Sequence, residues 1–437
     1  MAEPHHRTPE QIALAEQRRI NREKREQITA KEEAQKGRIL PREWITVQDP
    51  PNTENGDWQR VRIMTWNLLA QCLVRRELFP TSDCLKASQR EPMLHHEILS
   101  LEADICCLQE VDRLERLLPV LEEAGYEHVY AAGPRKKHGC LIAYRKDAYI
   151  LTDQRLIEYD QQEVHEEGSE TARRGSSFRT RNIASLVRLQ KVASPSTGVV
   201  VATTHLFWHP LQAAILLREV VRFREDGHPE TRQWPCLIAG DFNFTPEDPT
   251  YSFIVGDSLR PKQEERLSAS RVVHVTIDPT VPVAQDVPSK EDEDGLEGEE
   301  ADPDRDIVNA RPARGEDGLL TDAELAAMFK KSGRPASVYE EGQRLQPNTA
   351  DMGLTFGSRV PVEAGRHGGY EPIYTSYTHY WKAVLDYIFV LAPGKPAPII
   401  TKLAKPHVAK LLEPGLPQMG VCGSDHISLA AESYLKC

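Results

Sequence analysis

The chain has 437 residues, a formal net charge of −12 at pH 7 and 40% hydrophobic residues. This length allows one large domain with extensions, or two domains. The acidic balance argues against a generic nucleic-acid binder that relies on counterion release, although an enzyme can still hold phosphate through a metal and a few local cations.

Cysteine usage and hydropathy restrict where the protein works. None of the 8 cysteines has C-x-x-C spacing to another, so we expect neither a zinc site nor a disulfide framework, and a reducing compartment fits better. The sequence lacks the apolar stretch of a signal peptide, and no apolar run is long enough to span a bilayer. We therefore expect a cytoplasmic and/or nuclear protein that is not secreted and does not contact a membrane.

Residues 1–56 form a predicted N-terminal extension. Charged residues dominate its first part, to about residue 45, and the pattern favours an exposed helix that need not pack, or disorder. Such a helix is a candidate binding site for a protein partner. The segment from Asp49 to Gly56 is rich in Pro and Asn, and it predicts a linker before the folded domain.

Residues 57–437 are predicted to form one catalytic domain of mixed strands and helices. Alternating apolar and polar residues from Val61 indicate a strand that ends at Trp66 and Asn67. In chain order, the patterns then predict a helix (82–102), a strand (105–108), a helix (114–123), strands (140–144, 183–189 and 199–203), a helix (211–223), and strands (237–239, 385–390 and 427–434). This order is typical of an α/β or α+β domain.

Residues 257–370 differ in character and are predicted to be an insertion in that domain. The run from Asp286 to Asp306 is acidic and nearly free of large apolar residues, which favours disorder or a second protein-binding segment. A helix is predicted from Thr321, which with Glu324 forms a capping box, to Gly333.

Five short strings carry polar residues suited to phosphodiester hydrolysis, and most follow an apolar run. They are MTWN, LQE, TTH, GDFN and SDH, and a sixth string, LDY, places a carboxylate inside an apolar run. Buried strands deliver such side chains to the rim of a sheet, where α/β proteins form their sites. The set contains acids, Asn and His but no Ser or Cys nucleophile motif. It predicts a hydrolase that uses a metal and water.

Glu110 and Asn67 are the first candidates for metal ligands. Glu110 ends an apolar strand, where a carboxylate is costly unless it is paired or bound to a metal. Mg²⁺ prefers oxygen ligands and usually takes only one or two protein carboxylates. The alternative, a carboxylate in a salt bridge at a strand end, is equally compatible with this motif alone.

The GDFN string places Asp241 and Asn243 after a predicted strand. Gly240 is expected to allow a tight exit from that strand. Asp241 can then orient the attacking water or stabilise the leaving oxygen, and Asn243 can donate to a phosphate oxygen. A plain Asx-turn accounts for the same string taken alone.

His205 and His426 are candidate donors to the phosphate. A single His in an apolar strand is more often a core residue with satisfied hydrogen bonds, but His426 has further support. Asp386 lies inside an apolar strand and needs a partner, and a buried Asp beside a His favours the imidazolium. Asp425 points elsewhere and is a candidate ligand for a metal or its water.

In order and spacing, TWN, QE, TH, GDFN, LDYIF and SDH resemble the endonuclease/exonuclease/phosphatase superfamily, which includes DNase I and exonuclease III. The strings GCLIAYR, THLFWHP, YTHYW and LDYIFV resemble the branch that contains the carbon-catabolite-repression-type deadenylases, nocturnin, Angel and the fungal Ngl-type RNA exonucleases. The Ngl-type enzymes are the most similar, through HLFWHP and a long insertion before the last strands.

This resemblance implies a fold, an activity and a set of site residues. The fold is an α/β (α+β) four-layer sandwich of two packed mixed β-sheets flanked by helices, as in DNase I. The activity is 3′-to-5′ exonucleolytic cleavage at the 3′ end of single-stranded RNA, dependent on Mg²⁺ with Mn²⁺ as a possible substitute. The metal-binding Glu of the family corresponds to Glu110. Its other active-site positions correspond to Asn67, His205, Asp241, Asn243, Asp386, Asp425 and His426.

Further residues are candidates for binding the RNA. By position, Pro210 and Trp381 resemble the Pro and aromatic residue that sandwich a base in the deadenylases, although Trp381 also fits a core aromatic. Arg135, Lys136, Lys137 and His138 form a basic loop before Gly139 that can contact the RNA backbone, with Arg135 and Lys137 as the first candidates, and a solvated turn is an equal alternative. Arg179, Arg181 and Asn182 form a second candidate group.

Two other functions remain compatible with the sequence. One is a nocturnin-like phosphatase that acts on a soluble nucleotide or dinucleotide, since that branch shares the motifs. The other is a non-catalytic RNA-binding protein, which the complete set of polar residues argues against.

Overall fold

The computed structural model describes residues 37–53, 58–283, 307–345, 355–392 and 394–436, together with the isolated residues 17, 19 and 24. The predicted charged N-terminal helix falls almost wholly outside the described residues, and the acidic run 286–306 lies entirely outside them. Among the described residues, no helix combines the length and apolar character that crossing a membrane requires.

Strands and helices alternate along the described chain. The strands are β1 (Trp44–Thr46), β2 (Trp58–Asn67), β3 (Ile105–Val111), β4 (Tyr126–Ala132), β5 (Gly139–Arg145), β6 (Tyr149–Glu158), β7 (Ile183–Lys191), β8 (Ser194–His205), β9 (Cys236–Asp241), β10 (Val272–His274), β11 (Ala310–Pro312), β12 (Ala336–Ser337), β13 (Ser376–Tyr377), β14 (Lys382–Ala383), β15 (Asp386–Leu391), β16 (Ile399–Ala404) and β17 (Leu429–Lys436). The helices are α1 (Ala87–Ser100), α2 (Leu114–Glu123), α3 (Glu170–Arg174), α4 (Pro210–Glu225), α5 (Pro249–Val255), α6 (Pro261–Ala269), α7 (Asp322–Ser332), α8 (Val338–Arg344), α9 (Phe356–Arg359) and α10 (Ala409–Leu412).

Two large mixed sheets form the body of the molecule. The first has the order β1-β16-β17-β2-β3-β5-β4, and the second has the order β12-β15-β9-β8-β7-β6. Within the first sheet β2 and β3 are parallel, and within the second sheet β8 and β9 are parallel. The other strand pairs in both sheets are antiparallel.

The sheets pack face to face, and helices cover their outer faces. Successive residues of a strand point to opposite faces, so Ile63 of β2 lies in the core between the sheets while Met64 packs against the outer helices. The outer face of the first sheet is covered by α1 and α2. The outer face of the second is covered by α4, α5 and α7. The predicted four-layer sandwich is confirmed.

One edge of this sandwich collects the ends of several strands. Because β2 and β3 are parallel, as are β8 and β9, the carboxyl ends of each pair lie at the same edge of their sheet. Strand β15 runs antiparallel to β9 and begins where β9 ends, since Asp386 is the register partner of Asp241. The candidate site residues are therefore brought together by topology.

The segment 257–370 is folded over much of its described length. It supplies α6 to α9, and its strand β12 pairs with β15 at one edge of the second sheet. The predicted capping box is present, since Thr321 Oγ1 accepts from the Glu324 N–H at 3.2 Å and Glu324 accepts from the Thr321 N–H at 2.7 Å. The boundaries of the extension, the domain and the insertion remain predictions.

Candidate active site

Asn67, the last residue of β2, joins the two sheets at the strand-end edge. Its Nδ2 donates to Glu110 Oε1 at 2.7 Å, within the first sheet, and to Asp241 Oδ2 at 3.0 Å, across to the second. Its Oδ1 accepts from the Leu69 N–H at 2.9 Å, which turns the chain after the strand. Asn67 is therefore a donor between two carboxylates here, and its role as a metal ligand remains a prediction.

Glu110 lies near the end of β3, where the strand departs from regular pairing. The register with β5 shifts between Leu108 and Val111, and Glu110 has a φ of +54°. A left-handed residue at a bulge re-aims a side chain out of the regular ladder. Its carboxylate is buried and accepts from Asn67 and from the Ala70 N–H at 2.8 Å.

The charge of Glu110 is stabilised by its neighbours. Burial alone would raise its pKa, but His205, His138 and the hydrogen bonds from Asn67 and Ala70 outweigh burial and lower the pKa below its usual range. Glu110 is thus an ionised, buried carboxylate at neutral pH, which is the state that a cation requires. Among the described residues Glu110 is recorded in no ion pair with Lys or Arg; the one basic group recorded against it is His205, with Nδ1 at 3.8 Å from Oε1.

Asp241 ends β9 and is both an Asx-turn residue and a member of the site. Its Oδ1 accepts from the Asn243 N–H at 3.0 Å, while its Oδ2 faces Asn67. Burial and the adjacent charge of Asp386 raise the pKa of Asp241, against the opposing effect of His426.

Gly240 has a different role from the one expected. It lies inside β9 and pairs with Thr204 of β8 rather than forming a turn. A Cβ at this position would lie 2.2 Å from the Thr204 carbonyl oxygen. Glycine is needed because the two strands approach closely at the site, and the predicted tight exit is wrong.

His205 ends β8 and is held by Asn243. Asn243, at a φ of +54°, brings its Nδ2 to 3.0 Å from both His205 Nε2 and the Leu206 carbonyl oxygen. Burial lowers the pKa of His205 to about 4, so the imidazole is neutral at physiological pH. With Nε2 accepting from Asn243, its proton is on Nδ1, which faces Glu110. Asn243 thus orients His205 in this arrangement.

His426 forms a buried ion pair with Asp386. Its Nδ1 lies 2.7 Å from Asp386 Oδ2, and its Nε2 lies 3.7 Å from Asp241 Oδ2. Burial alone would lower the pKa of His426, but the charges of Asp386, Asp425 and Asp241 raise it well above the ordinary value. His426 is therefore an imidazolium that points its Nε2–H toward the centre of the site.

Asp425 precedes His426 and is nearly inaccessible to solvent. Burial raises its pKa to about 6, and Glu110 adds to this effect while His426 and Arg90 oppose it. Ser424 Oγ donates to the Asn67 carbonyl at 2.6 Å, which ties this segment to the end of β2.

The donor set fits a divalent cation. Glu110, Asp241, Asp386 and Asp425 are buried together at one edge, and Asp386 Oδ1 has no hydrogen-bond partner among the described residues. Asp241, Asp386 and His426 also place ligand-type atoms within 4.8 Å of one another. A protonated imidazole cannot ligate, so His426 in its ion pair offers no ligand atom, and the oxygens of the four carboxylates remain as candidate ligands.

The predicted RNA-binding residues are only partly brought to this site. Arg135 and Lys137 are exposed, whereas Lys136 of the same loop is partly buried and lies near His205 of the site. Lys136 Nζ donates to Asn182 Oδ1 at 2.5 Å, and its charge helps to lower the pKa of His205. Asn182 is itself buried, so Lys136 is the partly accessible member of this hydrogen-bonded pair.

Pro210 and Trp381 are held in different ways. Pro210 is buried at the first turn of α4, where its missing N–H costs nothing. Trp381 is half-buried, with Nε1 donating to Ser376 Oγ at 2.9 Å and its ring 6.4 Å from that of Phe79 in an edge-on contact. The hairpin carrying Trp381 adjoins the site because Ser376 bridges to His426. The base-stacking role of both residues remains a prediction.

Sequence reasoning missed Arg90, a 2% exposed residue of α1 next to the site. The signal was present, because Arg90 lies four residues before Leu94 and eight before Ile98, on the apolar stripe of the helix. An arginine on such a stripe indicates either that the predicted helix face is wrong or that the arginine is buried and hydrogen-bonded.

The comparisons with known proteins agree with this geometry. Residues 64–426 match the Endonuclease/Exonuclease/phosphatase family. The chain belongs to this family. It is therefore a phosphodiester hydrolase of the nuclease and phosphatase class, and the predicted family is confirmed. Enzymes of this family generally depend on a divalent metal ion.

Individual relatives extend over most of the chain. A probable RNA exonuclease of Schizosaccharomyces pombe is 28% identical over 370 residues, covering 81% of this chain and 70% of that protein. RNA exonuclease NGL2 of Saccharomyces cerevisiae is 24% identical over 427 residues, covering 86% of this chain and 78% of that protein. The crystal structure of ANGEL2, a 2′,3′-cyclic phosphatase, covers 91% of this chain and 100% of that chain with a TM-score of 0.58 and 22% identity. This last likeness shows the same fold.

Proposed function

We propose that this protein is a Mg²⁺-dependent 3′-to-5′ exoribonuclease that shortens single-stranded RNA from its 3′ end. The observation that carries the proposal is that one buried site contains both an ionised carboxylate, Glu110, and an imidazolium, His426, on its opposite side. An RNA substrate is supported by the two relatives named RNA exonucleases, which align over most of the chain.

The residues divide the chemical work between them. Glu110 and Asp425 would hold Mg²⁺, with Mn²⁺ as a substitute, and Asn67 fixes the Glu110 carboxylate. When bound, the ion supplies positive charge against the oxygens of the phosphodiester. Asp241, whose pKa is raised by burial and Asp386, accepts a proton from the water that attacks phosphorus. The bond from phosphorus to the 3′ oxygen of the preceding nucleotide breaks, and this oxygen leaves and takes up a proton from solvent.

The opposite side of the site stabilises the charge that develops on phosphorus. His426, kept protonated by Asp386, donates its Nε2–H to a phosphoryl oxygen. Neutral His205, oriented by Asn243, directs its Nδ1–H toward Glu110. Lys136 binds the next phosphate of the RNA, and Trp381 with Pro210 contacts a terminal base.

The decisive experiment uses 5′-labelled RNA and the purified full-length protein with Mg²⁺. One RNA ends in poly(A), a second has a mixed-sequence 3′ end, a third ends in a 2′,3′-cyclic phosphate, and a DNA copy of the second serves as the fourth substrate. We expect a ladder that shortens from the 3′ end on RNA, no ladder on DNA, and loss of activity with a chelator. The rates on the first two RNAs distinguish a deadenylase from a general trimming enzyme.

Two carboxylate variants serve as test and matched control. Glu110→Gln should abolish the ladder, because the amide cannot hold the cation. Glu432→Gln removes another buried strand carboxylate, which pairs with Arg60 and Arg62 away from the site, and it should cleave as wild type does. Opening of the cyclic phosphate without shortening of any RNA would contradict the exonuclease and indicate a phosphatase.

A further inference from the structure

Arg90 binds two separate segments of the active-site edge with one guanidinium. Its Nη2 donates to the carbonyl oxygens of both Leu68 and Leu69, in the loop that follows β2. Its Nε donates to the carbonyl oxygen of Gly423 at 2.6 Å, just before the start of the SDH segment. The two segments are more than 330 residues apart in sequence.

Each of these segments helps to position one carboxylate of the site. Ala70 directly follows Leu69 and donates its N–H to Glu110 Oε2 at 2.8 Å. Asp425 follows Gly423 by two residues. The separation of the Glu110 and Asp425 carboxylates therefore depends on how far apart Arg90 holds the two backbone segments.

Arginine is suited to this task for two physical reasons. Leu69 has a φ of +57°, and the turn directs two consecutive carbonyl groups at the same nitrogen of Arg90. These carbonyls are buried with their residues and need donors. Only the planar guanidinium fork reaches three carbonyl groups in fixed directions, and the nearby charge of Asp425 favours the cation.

Ser424 provides a second tie between the same segments. Its Oγ donates to the Asn67 carbonyl at 2.6 Å. The end of β2 and the segment Gly423–Asp425 are thus joined on one side by a hydroxyl and on the other by the guanidinium.

We propose that Arg90 is a positioning residue of the active site, which holds the loop Leu68–Ala70 and the segment Gly423–Asp425 at the separation that lets Glu110 and Asp425 share one divalent cation. This inference rests on the proposed function. Arg90 acts through backbone carbonyl groups and does not itself contact the cation or the substrate.

The test is the Mg²⁺ affinity of Arg90→Lys, measured by calorimetry on the full-length protein without RNA. Lysine keeps the charge but loses the fork, so we expect the dissociation constant to rise roughly tenfold or more, as for other residues that orient ligands. The kcat for RNA should recover at high Mg²⁺, whereas a merely structural defect would not respond to the ion. Arg116→Lys, on a side chain that is 61% exposed on α2, is the matched control and should bind Mg²⁺ as wild type does.

Wild-type Mg²⁺ affinity in a folded Arg90→Lys would overturn the positioning role and leave the proposed function intact. If Arg90→Lys does not fold by circular dichroism, Gln71→Leu decides, because it removes the Gln71 Oε1 acceptor that lies 3.2 Å from Arg90 Nη1: weakened Mg²⁺ binding supports the positioning role of Arg90, and unchanged binding overturns it. A wild-type protein that binds no Mg²⁺ and cleaves no RNA would overturn both proposals together.

Discussion

Asp386 is the residue whose charge determines the state of His426. Its carboxylate is 0% exposed, and one of its oxygens is bound only by the imidazole. Without this charge, the buried His426 would lose its proton more readily, because burial alone favours the neutral ring. The catalytic contribution of His426 is therefore expected to depend on Asp386 more than on any contact that His426 makes itself.

Replacing Asp386 by Asn tests this dependence. We expect kcat to fall by about 10²-fold or more, the range seen when a positioned proton donor is lost, with little change in the melting temperature. Asp257→Asn is the matched control, because Asp257 Oδ1 lies 2.9 Å from His367 Nδ1 in the same kind of pair, and it should leave kcat unchanged. Equal losses in both variants would show that the effect is structural.

Glu371 gives the fold a pH dependence of its own. It is 1% exposed, accepts from Tyr251 OH at 2.8 Å, and its pKa is raised to about 8 by burial and by the nearby Glu340. A folded-state pKa above the unfolded value stabilises the fold fully below the unfolded pKa, and that stability is lost as the pH rises through the folded pKa. Between about pH 4 and pH 8, this group lowers the free energy of unfolding by up to about 1.4 kcal/mol per pH unit.

Glu371→Gln should remove this slope. Urea unfolding at several pH values between 5 and 9 would measure it, and the variant should be the more stable protein at the alkaline end, because no buried charge forms. Parallel pH profiles for wild type and variant would contradict the assignment.

At the scale of elements, the close approach of β8 and β9 at Gly240 is essential to the site. A methyl group there would push against the Thr204 carbonyl oxygen, so Gly240→Ala should lower the free energy of unfolding by about 1–3 kcal/mol. Activity should fall as well, since Asp241 and His205 end these two strands. Gly315→Ala is the control, because a Cβ there meets nothing within 4 Å. It should change neither the free energy of unfolding, measured in urea, nor the rate of RNA cleavage.

Most interior strands were predicted from the sequence, with β16 as the exception, and the edge strands were not. The predicted strands at 105–108 and 237–239 correspond to β3 and β9, in which every residue is buried. By contrast, β4 and β6 were missed, and each is an edge strand of its sheet. An edge strand faces solvent along one side, so it lacks the apolar run that identifies a buried strand. Strand β6 is exposed or half-exposed at most of its positions.

The same physical difference explains which parts of the site were predictable. Asn67, Glu110, Asp241 and His205 interrupt apolar runs at strand ends, and such interruptions are visible in sequence. Arg90 was not predicted, because it lies within a helix. Lys136 was predicted only as one member of a loop of like residues. Only the fold reveals that Lys136, rather than Arg135 or Lys137, faces the imidazole of His205.

At the scale of the whole molecule, an acidic protein must bind a polyanion. The formal net charge of −12 repels RNA at long range, so local cations at the site have to supply the attraction. Lys136 is such a cation, since its ammonium group is directed toward the site by Asn182.

Lys136→Gln is therefore expected to raise KM for RNA roughly tenfold with kcat unchanged, as for the loss of one charge-assisted hydrogen bond. The slope of log KM against the logarithm of the salt concentration should also fall by about 0.7, the value for one phosphate contact on a single strand. Lys146→Gln is the control, because Lys146 is exposed just beyond the opposite end of β5. A fall in kcat with unchanged KM would assign Lys136 to the chemistry instead.

The position of β17 within the first sheet has a consequence for how this enzyme is made. This strand, the last described along the chain, pairs on both sides, between β16 and β2, and the SDH segment immediately precedes it. A chain still being synthesised therefore has neither a closed first sheet nor Asp425 and His426, however much of its amino-terminal part has already folded. On the proposed roles of Asp425 and His426, we expect hydrolytic activity only after β17 has left the ribosome and inserted beside β2.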